Sequence, residues 1–338
     1  MVSTILLTLA GLAVIGLTLS DVFKTVVEPG GSDALLRVAR RLAHALLPIW
    51  KRFAGQLTGM FAPLILVASY VVWACLLSLG FGCLAFAAKG DFHPHLKSFW
   101  DAVYIAASSI VTIGLSSTST TGQARWIVVG AGFCGLAVMT LAVTYLLLVQ
   151  GSVSNRDKGI IKLNTSAGEP PSALALLQNY SEIRNTGQLA DVMRDARDWC
   201  ATVRQSHTSH PSLIYFQTIG AGAGWPAALG AMLDLAMLCE SWLEDDRLHG
   251  PGVLLAAEAR GMAQNLARLV GLTPQLAETP EPALREMARR LAAAGYALKP
   301  DIDFAAFARA RSQAHACIAA MARHLGKPTS PLIPVDAR

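Results

Sequence analysis

The sequence predicts an all-α membrane protein, with three transmembrane helices, a short re-entrant helix and loop, and an all-helical cytoplasmic domain. Three observations carry this expectation. Of 338 residues, 53% are hydrophobic and 15% charged, against roughly 25% charged in an ordinary soluble domain. The apolar excess lies before about Gln150, and Arg, Asp and Glu become frequent after it. Within the first half, three apolar stretches reach the ~20 residues that a bilayer-crossing helix needs.

The first stretch runs from Val2 to about Leu19 without a charge. It has the length of a signal-peptide core, but no basic flank precedes it and no small-residue cleavage site follows, Asp21 and Lys24 coming next. A retained helix is expected. The second stretch runs uncharged from about Leu57 to Ala88, and Pro63 near its start marks an interfacial entry or a kink. The third runs from Trp126 to about Val149, with Trp126 and Tyr145 near its ends, where interfacial aromatics sit. Between the first two stretches, Leu35, Leu36, Val38, Ala39, Leu42, Leu46 and Ile49 recur at helical spacing, with Arg37, Arg40, Arg41 and His44 among them. Such a basic amphipathic helix lies on a membrane surface or packs on the C-terminal domain. The expected organisation is a first transmembrane helix over 1–31, the amphipathic helix over 32–56, and a helix–loop–helix unit over 57–155. A linker over 156–171 and a helical cytoplasmic domain over 172–338 complete it.

Charge sets the orientation. Lys24, Arg37, Arg40, Arg41, Lys51 and Arg52 fall in the first connection, and Arg156, Lys158 and Lys162 follow the third stretch. Cytoplasmic segments carry such excesses, so the N-terminus is expected outside, the segment from Lys89 to Arg125 external, and the C-terminal domain cytoplasmic. The net charge of +5 is explained by this topology and is no signal for nucleic acid. The six cysteines, Cys75, Cys83, Cys134, Cys200, Cys239 and Cys317, form no CxxC pair and read as reduced structural thiols.

The external segment is the most informative. After a polar run from Lys89 to His95 comes Phe99-Trp100-Asp101-Ala102-Val103-Tyr104-Ile105-Ala106-Ala107-Ser108-Ser109-Ile110, as apolar as a span but too short to cross. Val111-Thr112-Ile113-Gly114-Leu115-Ser116-Ser117 follows, then a Ser/Thr-rich exit to Gly122. A span, a short helix opening Phe-Trp-Asp-Ala, a Thr-hydrophobic-Gly element and a Gly-rich final span together resemble the pore domain of potassium channels, over roughly Leu57 to Gln150. The resemblance implies a selectivity filter at Val111, Thr112, Ile113, Gly114, Leu115 and Ser116. It implies a monovalent cation, potassium or sodium, held at Thr112, Ile113 and Gly114. Phe99, Trp100, Tyr104 and Ser108 would belong to the pore helix, and Gly135 would stand near an inner-helix hinge.

Backbone carbonyls can replace the hydration shell of a cation without adding full charge, and glycine reaches the angles that turn them inward. The match stops partway. Leu115 stands where the family has an aromatic, Ser116 where it has a second glycine and Ser117 where it often has an acid. A non-glycine in a left-handed conformation costs about 1–2 kcal/mol, so fewer ordered ion sites and weaker potassium–sodium discrimination are expected. The single-glycine loop also resembles those of the Trk/Ktr/HKT potassium transporters, which carry four such units per chain. One unit here implies a homotetramer. Thr140 and Thr144, four residues apart, line an inner cavity or bond to their own helix. No span carries regularly spaced arginines, which argues against voltage sensing of the usual kind.

Beyond Gly168-Glu169-Pro170-Pro171 the chain reads as helices broken around His210-Pro211, Gly250-Pro251-Gly252, Thr279-Pro280-Glu281-Pro282 and Lys299-Pro300. Gly220-Ala221-Gly222-Ala223-Gly224 follows no strand and reads as a helix break rather than a phosphate loop. Ser212 to Cys239 is apolar apart from Asp234, and reads as a buried soluble helix or a fourth span. The histidines 207, 210, 249, 315 and 324 show no ligand spacing. Asp191, Asp195 and Asp198 with Arg194 and Arg197 read as a solvated helix face. No catalytic constellation and no cofactor are expected. The expected function is a homotetrameric pore-loop channel for monovalent cations, embedded in lipid and gated or assembled through its cytoplasmic helices, whose ligand or partner is open. The alternative is a non-conducting membrane sensor or scaffold signalling through those helices.

Overall fold

The computed structural model describes residues 2–27, 38, 41–42, 45–46, 61–114, 118–216, 222–274, 276 and 278–334. The chain divides into two compact units, Met1–Gln150 and Gly151–Arg338. Among the described residues, three helices are long and apolar enough to cross a membrane: Val2–Val26, the stretch Leu64–Ala87, and Ala124–Ala167.

In the first unit, helix α1 (Val2–Val26) packs along α2 (Phe61–Ala87). Close approach is possible because Gly11 faces the Gly80 carbonyl; a Cβ at Gly11 would stand 2.7 Å from that oxygen. Ile15 and Val22 of α1 join Trp73, Leu77 and Phe81 of α2 in the core, while Val2, Ile5, Leu6, Leu9 and Leu12 stay exposed, as a lipid-facing stripe requires. Asp21 is buried near the end of α1. Its Oδ2 accepts from Trp73 Nε1 at 2.8 Å and from the Val38 amide at 3.4 Å, which offsets the desolvation of a carboxylate. Pro63 lies in the first turn of α2, where its missing N–H costs no ladder bond, and the helix continues without a break there. Of the expected amphipathic helix, Val38, Arg41, Leu42, Ala45 and Leu46 are helical, with Val38 buried and Arg41 exposed. Leu35, Leu36, Arg37, Ala39, Arg40, His44 and Ile49 lie outside the described residues.

After a 3₁₀ turn at Lys89–Asp91, strand β1 (Phe92–His93) pairs antiparallel with β2 (Ser119–Thr120). The short helix α3 (Phe99–Ile110) opens on a full capping box: the Ser98 hydroxyl accepts from the Asp101 amide, and Asp101 accepts from the Ser98 amide. Helix α4 (Ala124–Ala167) buries Ala124, Ala131, Gly135, Val138, Tyr145 and Val149 along one stripe. Of the two expected interfacial aromatics, Trp126 is exposed but Tyr145 is buried, because it falls on that stripe.

The linker expected over 156–171 is corrected in its first part: α4 runs past Val149 and stays helical to Ala167. The cause is tertiary. Ile160, Leu163 and Ala167 enter the core of the second unit, and Arg156 is buried there. Its guanidinium donates to Asp157 at 3.0 Å and to the carbonyls of Leu213 at 3.2 Å and Phe216 at 2.9 Å. Arg156 thus serves the core of this unit, whatever it adds to membrane orientation. The connection shrinks to Gly168–Pro171, with Gly168 at φ +79°.

The second unit continues with α5 (Ala173–Glu182), α6 (Leu189–Ser209), α7 (Gly224–Ser241), α8 (Asp246–Val270), α9 (Glu281–Ala293) and α10 (Phe304–Leu325). Helix α7 is buried from Gly224 to Cys239, as suits a helix that is apolar all round. The one charge in that buried run, Asp234, takes a bidentate pair from Arg311 at 2.7 and 2.8 Å, with His315 Nε2 at 2.8 Å. The pair outweighs burial and holds the Asp234 carboxyl well below the usual carboxylate range. The expected break at Gly250-Pro251-Gly252 does not occur. Asp245 caps α8, and Pro251 forfeits one ladder bond in its second turn, while Gly252 lets the helix approach the Ala236 carbonyl. Cys200, Cys239 and Cys317 are buried as free thiols, and desolvation pushes Cys239 up to about 12.

Candidate functional site: a loop hung from the end of a short helix

Helix α3 stands against α2 and α4 at positions where side chains are absent. A Cβ at Gly82 would come 2.7 Å from Val103 Cγ2, and one at Gly135 would collide with the Ile110 carbonyl oxygen. Gly135, expected near a hinge, is therefore where α4 makes room for the end of α3. Phe86 meets Phe99 edge-on at 5.9 Å, and Phe99 meets Trp100 at 5.8 Å. Trp100 and Tyr104 are exposed, whereas Ser108 is buried.

The four residues after α3 turn their amides back onto it. The Val111 N–H donates to Ala107 at 3.0 Å, that of Thr112 to Ser109 at 3.0 Å, and those of Ile113 and Gly114 to Ser108 at 2.9 and 3.2 Å. Thr112 and Gly114 have φ of +61° and +80°, and the threonine bears the left-handed cost that glycine escapes. Among the described residues, the carbonyls of Val111, Thr112 and Ile113 accept no hydrogen bond. The Gly114 carbonyl lies 3.3 Å from Ser108 Oγ. Ile113 is 79% exposed in the single chain. This is a strand of carbonyls held at the partly negative end of a helix, which suits a cation rather than an anion. Leu115, Ser116 and Ser117, on which the expectation of a weakened outer half rests, lie outside the described residues.

On α4, the Thr140 hydroxyl donates to Leu136 and the Thr144 hydroxyl to Thr140, both at 2.9 Å. Both side chains are exposed. With the protons engaged in their own helix, lone pairs are what these groups present outward. Among the described residues, no group of three His, Cys, Asp or Glu side chains is arranged for a metal ion. Sequence reasoning named Ser108 only as part of a helix. Its contacts depend on the loop folding back, and spacing carries no sign of that.

Residues 64–149 match the family model described as Ion channel. The matched segment takes in α2 from Leu64, α3, the loop and α4 as far as Val149, and it leaves the second unit outside. The match supports a pore-loop ion channel of the potassium-channel-like kind. No curated protein and no solved structure matches the chain.

Proposed function

We propose that the chain is one subunit of a homotetrameric pore-loop channel for monovalent cations, passing potassium with weakened discrimination against sodium. The observation that carries this reading is the row of carbonyls from Val111 to Ile113, without hydrogen bonds among the described residues while their amides bind α3. One chain supplies one such row, and a closed ring around an ion calls for symmetric copies. Carbonyls of Thr112 and Ile113 and the Thr112 hydroxyl are the proposed ligands, with Gly114, Leu115 and Ser116 continuing the filter. Lone pairs at Thr140 and Thr144 suit a cavity below it. The N-terminus lies outside, and the second unit is cytoplasmic, where it gates or assembles the pore.

The experiment is cation flux from liposomes holding the purified protein. Wild type is expected to pass potassium and sodium, and Gly114→Val to lose at least about tenfold of the flux, since a β-branched residue at φ > 0 is a steric outlier. A wild-type protein that passes neither ion under any gradient rejects the reading. A Gly114→Val protein with full flux removes the carbonyl row from the path.

A further inference from the structure

We propose that Ser108 is a positioning residue for ion selection, whose hydroxyl withdraws the Gly114 carbonyl from the ion path. The inference rests on the pore-loop reading and names what tunes it. Ser108 meets the loop twice. Its carbonyl receives the amides of both Ile113 and Gly114, which fixes the loop's distance from α3. Its hydroxyl lies 3.3 Å from the Gly114 carbonyl oxygen and 3.2 Å from that of Ile105.

A hydroxyl has one proton, so these two carbonyls compete for it. The Ile105 carbonyl already receives the Ser109 hydroxyl at 3.0 Å. Gly114 has no such substitute among the described residues, and the Ser108 proton is better placed there. The bond acts on selection in two ways. It turns the Gly114 oxygen toward α3, and it draws off part of the negative charge a cation would feel. Potassium–sodium discrimination depends on the number and field strength of carbonyl ligands. A chain with Ser108 thus offers one carbonyl fewer per subunit than the same loop without it. Ser108 is buried, so its hydroxyl has little water to bond instead.

The test is the potassium-to-sodium permeability ratio, from reversal potentials of the full-length protein in bilayers. Ser108→Ala is expected to raise the ratio about fivefold, the equivalent of one ordinary hydrogen bond. Ser108→Thr keeps the hydroxyl and is expected to stay within about twofold of wild type. An unchanged ratio in Ser108→Ala overturns the inference while leaving the pore-loop reading standing. Equal shifts in Ala and Thr variants also overturn it, since side-chain shape would then be the cause. If Ser108→Ala does not fold, Ser108→Cys, with a weak thiol donor of similar size, takes its place with the same expected rise and the same overturning result. A wild-type protein that passes neither ion overturns both readings together.

Discussion

His207 shows how one residue sets a pH limit. It is buried in α6, with Nδ1 3.2 Å from Ser206 Oγ, its ring beside Trp225, and no hydrogen-bond partner at Nε2. Burial, with the Arg156 charge adding to it, lowers its pKa from 6.5 to about 3. The folded unit therefore holds a neutral ring where the unfolded chain takes up a proton. Stability from this residue is whole above about pH 6.5 and is lost progressively as pH falls towards 3. Thermal unfolding followed between pH 7 and 4 should show a falling midpoint for wild type. A His207→Leu variant should flatten that slope by an amount on the order of a few kcal/mol. Parallel slopes in the two proteins would remove His207 as the cause. An ordinary surface or core histidine was readable here from the lack of ligand spacing, without a choice between the two. Its effect on acid stability was not, because Arg156 approaches it from 51 positions away only after folding.

At the scale of elements, the informative one is the part of α4 beyond Gly151. A Cβ at Gly159 would collide with Trp199 Cδ1, and Trp199 Nε1 donates to the Arg156 carbonyl at 2.9 Å. Gly159→Leu should displace that indole, break its bond and loosen the helix end from the second unit. Overpacking of this kind costs about 1–3 kcal/mol. Hydrogen exchange of the full-length protein should then show the amides of 156–167 exchanging about tenfold faster, with those of α3 unchanged. Equal protection in both proteins would mean that Trp199 does not hold this turn. The sequence hid this element for a physical reason. Gly151, Ser152, Ser154 and Asn155 look like an exit from the bilayer, and Arg156 looks like a topology charge, until Leu213 and Phe216 supply carbonyls for it. Pro251 misled in the same way: α8 begins at its Asp245 cap and runs on through the proline at the cost of one ladder bond. The spans themselves were legible because uncharged length alone defines them.

At the scale of the whole molecule, the two units were legible from composition alone: the chain changes from apolar to charged near Gln150, and the compact units divide there. The match to ion channels ends at residue 149, so the second unit's own role has to be read from its chemistry. Its buried thiols give that unit a built-in clock. The thiolate is the form that attacks an alkylating reagent, and Cys200 and Cys239 are fully enclosed with their ionisation suppressed by desolvation. Modification there must wait for the helices to part, so its rate counts openings of the second unit. With a mild alkylating reagent at neutral pH, Cys200 and Cys239 should stay unmodified for as long as the unit stays closed. Mass spectrometry after timed quenching reads this residue by residue. Rapid labelling of either thiol under native conditions would mean that the second unit breathes far more than its packing implies. Any stimulus that works by opening these helices would then be recorded as a change in the rate, with no current needing to flow.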